Sequence, residues 1–180
     1  MNDLPAHHIT SLISQEHISA RISELANEIS HKIPKDVMVI ALLRGSFVFA
    51  ADLIRAFYAT GMQPQIDFLT LSSYGSGTKS SGAITLINDI ADNVHGRHVL
   101  IIDDILESGR TLTYAKEVME SRGAKSVHIA VMLEKPGKLE SKVHADFVGF
   151  PIEDKFVVGM GLDYANYYRE LPYIGVVEFD

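Results

Sequence analysis

The sequence predicts a doubly wound α/β fold, a mostly parallel sheet flanked by helices. Three observations carry this expectation. Near-continuous apolar runs of strand length, VMVIALL over 37–43 and VLII over 99–102, read as strands buried on both faces. Segments whose apolar residues recur at helical spacing separate such runs. Polar, glycine-containing or charged signals stand just after Leu43, Ser73, Ile102 and Leu133. Those are the carboxyl ends of strands, where sheets of this kind hold their ligands.

Taken in order, the polar start leads to Ile18, Ile22, Leu25, Ala26 and Ile29 at helical spacing, with Ser14 as N-cap and Pro34 as the stop. The first buried strand follows and breaks at Arg44-Gly45-Ser46. A second helix then presents Phe47, Ala50, Leu53, Ile54 and Phe57 on its inner side. Ile66 to Ser73 is a strand that opens into a small, polar, glycine-rich stretch over 72–82, which predicts a mobile loop. Strand character resumes over 83–88. Val99 to Ile102 ends in Asp103-Asp104, with 105–111 expected as the turn. A helix through Leu112, Ala115, Val118 and Met119 closes at Gly123. Strands follow at 127–133, 147–150, 156–158 and 174–178.

Composition narrows the function. The 180 residues suit a single domain spanning 1–180, and 47% hydrophobic with 22% charged residues is ordinary for a globular chain. A net charge of -7 disfavours a nucleic-acid binder that relies on a broad basic surface. With no cysteine, disulfide scaffolds, thiolate metal sites and thiol enzymes are excluded. No basic segment leads into an apolar one near Met1, and no apolar stretch reaches membrane-spanning length. A cytoplasmic protein without membrane or nucleic-acid partners is the expectation.

The chemistry concentrates in 99–111, VLIIDDILESGRT. A tight turn of Ser108, Gly109 and Thr111 before a helix offers backbone N–H groups, hydroxyls and the helix's positive end to a phosphate. It is not a Walker loop, because the G-x-x-x-x-G-K-[ST] pattern is missing. Adjacent acids at a strand's end, Asp103 and Asp104, need donors or positive charge nearby. Alone they would read as a polar turn; joined to Ser-Gly-x-Thr and a helix, they read as a phosphosugar site.

This string resembles the phosphoribosyl-diphosphate (PRPP) signature of type I phosphoribosyltransferases. The resemblance implies that Asp103 and Asp104 face the ribose and its magnesium, and that Ser108, Gly109, Arg110 and Thr111 cradle the 5′-phosphate. Purine members usually carry aspartate where this chain has Glu107, the residue expected to handle the purine proton. Glutamate keeps the carboxylate but reaches about 1.5 Å further. Arg44-Gly45 falls where the family has its diphosphate loop, often with a cis peptide before the basic residue, here Leu43–Arg44. Ser73-Tyr74-Gly75 matches the start of the loop that closes over PRPP.

The segment 148–164, VGFPIEDKFVVGMGLDY, is similar to the base-recognising region of hypoxanthine/guanine phosphoribosyltransferases. There Phe156 would stack on the base, Val157 would meet its edge, and Lys135 would donate to the 6-oxo group. Asp163 would hold magnesium or order the base pocket, and Arg169 would neutralise diphosphate. The resemblance further implies a hood built from the N-terminal segment and roughly 150–180. It implies hypoxanthine and guanine as substrates, IMP, GMP and diphosphate as products, and a homodimer or homotetramer. A xanthine-preferring enzyme and a regulatory nucleic-acid binder on the same fold are the alternatives.

Overall fold

The structure, a computed structural model, describes residues 5–73 and 84–179. In chain order its elements are β1 (His7–Ile13), α1 (Gln15–Lys32), β2 (Met38–Leu43), α2 (Phe47–Thr60), β3 (Gln65–Ser73) and β4 (Ile84–Asn88). Then come β5 (His98–Leu106), α3 (Arg110–Ser121), β6 (Ser126–Glu134), β7 (Phe147–Pro151), β8 (Val157–Val158) and β9 (Ile174–Phe179). The main sheet has strand order β4-β3-β2-β5-β6-β7, parallel throughout except for the antiparallel β3–β4 pair. The order reverses between β2 and β5, so the ligand crevice of this topology lies beyond Leu43 and the end of β5.

Strands buried on both faces explain the unbroken apolar runs. Val39, Ala41, Leu100 and Ile102 pack towards α1 and α2, among Leu25, Ile29, Phe49, Leu53 and Phe57. Their neighbours Met38, Ile40, Val99 and Ile101 pack the opposite way, with Leu112, Ala115 and Met119 of α3. Ser14 caps α1, its hydroxyl accepting the His17 amide, and Gly123 at φ +81° follows the end of α3. No described helix is long and apolar enough to cross a membrane.

Three expectations are corrected. The N-terminal polar stretch forms a strand, β1, paired antiparallel with β9 from His7↔Phe179 to Ile13↔Ile174. With β8 these build a second, three-stranded sheet. Its exposed, polar pattern hid it from a search for apolar runs. On α2 the buried stripe is Phe49, Ala50, Leu53 and Phe57, and Phe47 is exposed. The stripe's first member is Ser46, whose buried hydroxyl donates to the Leu42 carbonyl and leaves Phe47 outside. Finally, β5 does not end at its acids, where the turn was expected to begin. It runs through Asp103-Asp104 to Leu106, held by the pairs Ile105↔Leu133 and Leu106↔Glu134.

The α2 register has a measurable consequence. Phe49→Ala should lower the unfolding free energy by about 3–5 kcal/mol in urea titrations, the usual cost of emptying a buried aromatic site. Phe47→Ala should stay within about 1 kcal/mol of the parent. Equal losses would show that the stripe has been read wrongly.

Candidate active site

Because β5 stays paired with β6 past its apolar stretch, it carries two carboxylates into a nearly dry position. Asp103 is buried and Asp104 half-buried. Asp103 Oδ1 accepts the Asp104 amide at 3.0 Å, and Asp104 Oδ1 accepts the Ile105 amide at 2.7 Å. Burial pushes the Asp103 carboxyl well above its usual range, and the neighbouring Asp104 charge pushes further. Burial also raises Asp104, against the hydrogen bonds and the Arg169 charge that favour its ionised form.

The Asp104 side chain lies against Gly45, the first residue after the Leu43–Arg44 cis peptide. A Cβ at position 45 would occupy the space of the Asp104 carboxylate, so only glycine fits. Gly161 in turn packs on the Gly45 carbonyl and would clash there with any side chain. The Arg44 side chain is exposed.

Beyond Leu106 the chain turns through Glu107, Ser108 and Gly109 into α3. Gly109 is left-handed at φ +78°, and a Cβ there would strike Ser141 and Val143. The Ser108 carbonyl accepts the Glu140 amide at 3.0 Å, which fixes the turn from below. Since α3 begins at Arg110, Arg110 and Thr111 both stand in its first turn, where amides lack helical partners. The Arg110 guanidinium pairs with Glu140. A cavity of about 290 Å³ gathers Leu43, Gly45, Asp103, Asp104, Glu107, Ser108, Gly109 and Thr111, along with neighbouring apolar residues. Of the expected ribose and phosphate residues, Asp103, Asp104, Ser108, Gly109 and Thr111 thus share one hollow, while the Arg110 side chain is exposed outside its lining.

The residues expected to face a base come from more distant pieces of the chain. Lys135, buried just past β6, lies 3.2 Å from Glu107 Oε2 and 3.4 Å from Asp154 Oδ1. Glu107 lines the first cavity, while Lys135 and Asp154 line a second of about 490 Å³, so the Lys135–Glu107 pair joins a residue of one to a residue of the other. Phe156 is 45% exposed, with Tyr164 edge-on at 5.4 Å, while Val157 is buried in β8. Asp163 accepts the Asn166 amide at 2.7 Å and pairs with Arg169 at 2.7 Å, and Arg169 also donates to the Gly161 carbonyl at 2.6 Å. Ala165, Asn166 and Tyr168 around this pair have φ of 52°, 70° and 74°. Non-glycine residues held there cost on the order of 1–3 kcal/mol each, and such strain concentrates at functional segments.

Ser73 ends β3, and Tyr74 falls outside the described residues. Among the described residues no group of three or more His, Cys, Asp or Glu side chains is placed to hold a metal by itself. The sequence reading passed over Asp154 and Lys138. Their link to Lys135 is a tertiary contact that nothing in local spacing announces.

A switch point with a phosphate-ready turn under paired acids defines the phosphoribosyltransferase class. The phosphoribosyl transferase domain family matches residues 8–165. The chain is 44% identical over 176 residues to a hypoxanthine phosphoribosyltransferase of Buchnera aphidicola, covering 96% of this chain and 98% of the relative. It is also 44% identical over 168 residues to a hypoxanthine-guanine phosphoribosyltransferase of Bacillus subtilis, covering 93% and 92%. A crystal structure of a hypoxanthine phosphoribosyltransferase from Staphylococcus aureus superposes with a TM-score of 0.87 at 38% identity, over 94% of this chain and 91% of that one. The chain belongs to the phosphoribosyl transferase family, within its hypoxanthine(-guanine) phosphoribosyltransferase branch.

The raised acids tie stability to pH. Between the unfolded carboxyl range, near 3.9, and the higher folded value, the folded protein binds more protons than the unfolded chain. Stability without ligand should therefore fall as pH rises through that window. Asp103→Asn keeps the acceptor for the Asp104 amide and removes the charge. It should raise stability at pH 7 by on the order of 1 kcal/mol or more and flatten the pH slope. Thermal melts across pH check this, and an unchanged slope would show that the acids are not desolvated as described.

Proposed function

We propose that the protein catalyses magnesium-dependent transfer of the phosphoribosyl group from PRPP to hypoxanthine or guanine, giving IMP or GMP and diphosphate. The Lys135–Glu107 pair beside the acid-lined cavity carries this reading. An oxopurine offers an accepting 6-oxo oxygen next to a ring N–H donor, the complement of an ammonium beside a carboxylate. Adenine offers an amino donor in place of the oxygen and would leave the buried ammonium facing another donor.

In the reaction a bond forms between the purine ring nitrogen and the anomeric carbon while the bond from that carbon to diphosphate breaks. Glu107 takes the ring proton, and Phe156 and Val157 hold the base. Ser108, Gly109, Arg110 and Thr111 hold the 5′-phosphate through amides and hydroxyls. Asp103 and Asp104 stabilise positive charge developing on the ribose. Arg44, the Gly45 amide and Arg169 meet the charge leaving on diphosphate, with Asp163 fixing Arg169 in place.

Asp103 and Asp104 fit magnesium because burial raises both carboxyls, Asp103 well above its usual range, and a cation beside them would offset that cost. This ion keeps most of its waters and takes one or two carboxylates with substrate oxygens, which suits a site lacking an all-protein cage. Asp163, expected as a further ligand, already has its charge matched by Arg169. When bound, the ion supplies charge neutralisation for PRPP and the departing diphosphate.

A spectrophotometric assay of hypoxanthine, guanine, xanthine and adenine with PRPP and magnesium tests the reading. Hypoxanthine or guanine should be converted and adenine left untouched; turnover of adenine alone overturns the assignment. A chelator should abolish activity and excess magnesium restore it, whereas full activity in metal-free buffer removes the metal.

Glu107 is tested separately. Glu107→Gln should lower kcat by about 10²–10⁴-fold with little change in KM for PRPP, and Glu107→Asp should remain active. A Gln variant as fast as the parent makes Glu107 a mere acid of the turn.

A further inference from the structure

Lys135 has three N–H donors, and two are aimed by carboxylates from separate elements. Glu107 Oε2, from the phosphate turn, lies at 3.2 Å, and Asp154 Oδ1, from the connection between β7 and β8, lies at 3.4 Å. Asp154 is itself anchored. The Lys138 amide donates to the Lys135 carbonyl at 3.1 Å, a turn that brings both lysines alongside one another. Lys138 Nζ then pairs with the other oxygen of Asp154, Oδ2, at 2.5 Å. That hydrogen bond holds the Asp154 carboxyl below its usual range, so it stays ionised at neutral pH.

We propose that Asp154 is a positioning residue for base recognition: it fixes the Lys135 ammonium so that one N–H points to the oxo group of an oxopurine. Asp154 also keeps a counter-charge on Lys135 when Glu107 leaves the ion pair to meet the purine ring proton. Without it, a buried ammonium has Glu107 as its one carboxylate partner among the contacts above, and the proton acceptor stays engaged. Lys138 acts one step further out, by holding Asp154. The inference rests on the oxopurine reading and extends it to residues outside the base-contacting set.

The test compares parent, Asp154→Ala and Asp154→Glu in steady-state kinetics with hypoxanthine and PRPP each varied. The inhibition constant of unsubstituted purine, which lacks the oxygen, and thermal melts are measured alongside. Asp154→Ala should raise KM for hypoxanthine about tenfold or more, with KM for PRPP within about twofold. The inhibition constant of unsubstituted purine should not move, because its binding does not use the Lys135–oxygen bond. Asp154→Glu should recover most of the loss. A parental KM for hypoxanthine in the Ala variant overturns the inference. So does a parallel rise of both KM values and the inhibition constant with a lowered melting temperature, the mark of a merely structural role. A parent that converts no oxopurine overturns the functional reading and this inference together; an active parent with indifferent Asp154 variants overturns this inference alone.

Discussion

At the end of β5, two adjacent carboxylates are carried out of water by a strand that remains paired beyond its apolar stretch. Desolvated acids of like charge are unfavourable unless donors or cations meet them, and the surroundings follow from that demand. Gly45 must be a glycine because Asp104 fills the space of its side chain, and Gly161 must be one because the Gly45 carbonyl fills its own. Three segments far apart in sequence are thereby packed in series, the Asp104 side chain on Gly45 and the Gly45 backbone on Gly161.

How much of this was legible in the sequence depended on the range of the interactions. The buried strands, α1 with its Ser14 cap and the phosphate turn are local signals, carried by period, caps and glycine, and they were readable. Strand β1 was not, because HHITSLI has no apolar run and becomes a strand only by pairing with β9. On α2 only the first position was misread, Phe47 being taken as buried and Phe49 passed over, since the small polar Ser46 occupies the first buried position. The extent of β5 was misjudged because acids usually end a strand, and here pairing with β6 overrides that preference.

The site divides in the same way. Asp103 to Thr111 is one continuous string whose residues, Arg110 apart, share a cavity, so sequence order and spatial order agree. Lys135 comes from the connection after β6, and Asp154 and Phe156 come from the one after β7. Lys135 and Phe156 could be matched to a family by type, but the grip of Asp154 on Lys135 could not be foreseen. The pairing of Arg169 with Asp163 is likewise a consequence of the left-handed residues between them, which no propensity predicts.

The small sheet links synthesis to competence. Strand β8, which carries the buried Val157, is hydrogen-bonded only to β9 among the described strands, and so is β1. The main sheet is complete at β7 and can form on the ribosome while the remaining residues are still in the exit tunnel. The base-facing side cannot: β1 and β8 have no strand partner until β9 is released. Until that moment the nascent chain holds a finished turn at 107–109 beside a strand, β8, that has nothing to pair with.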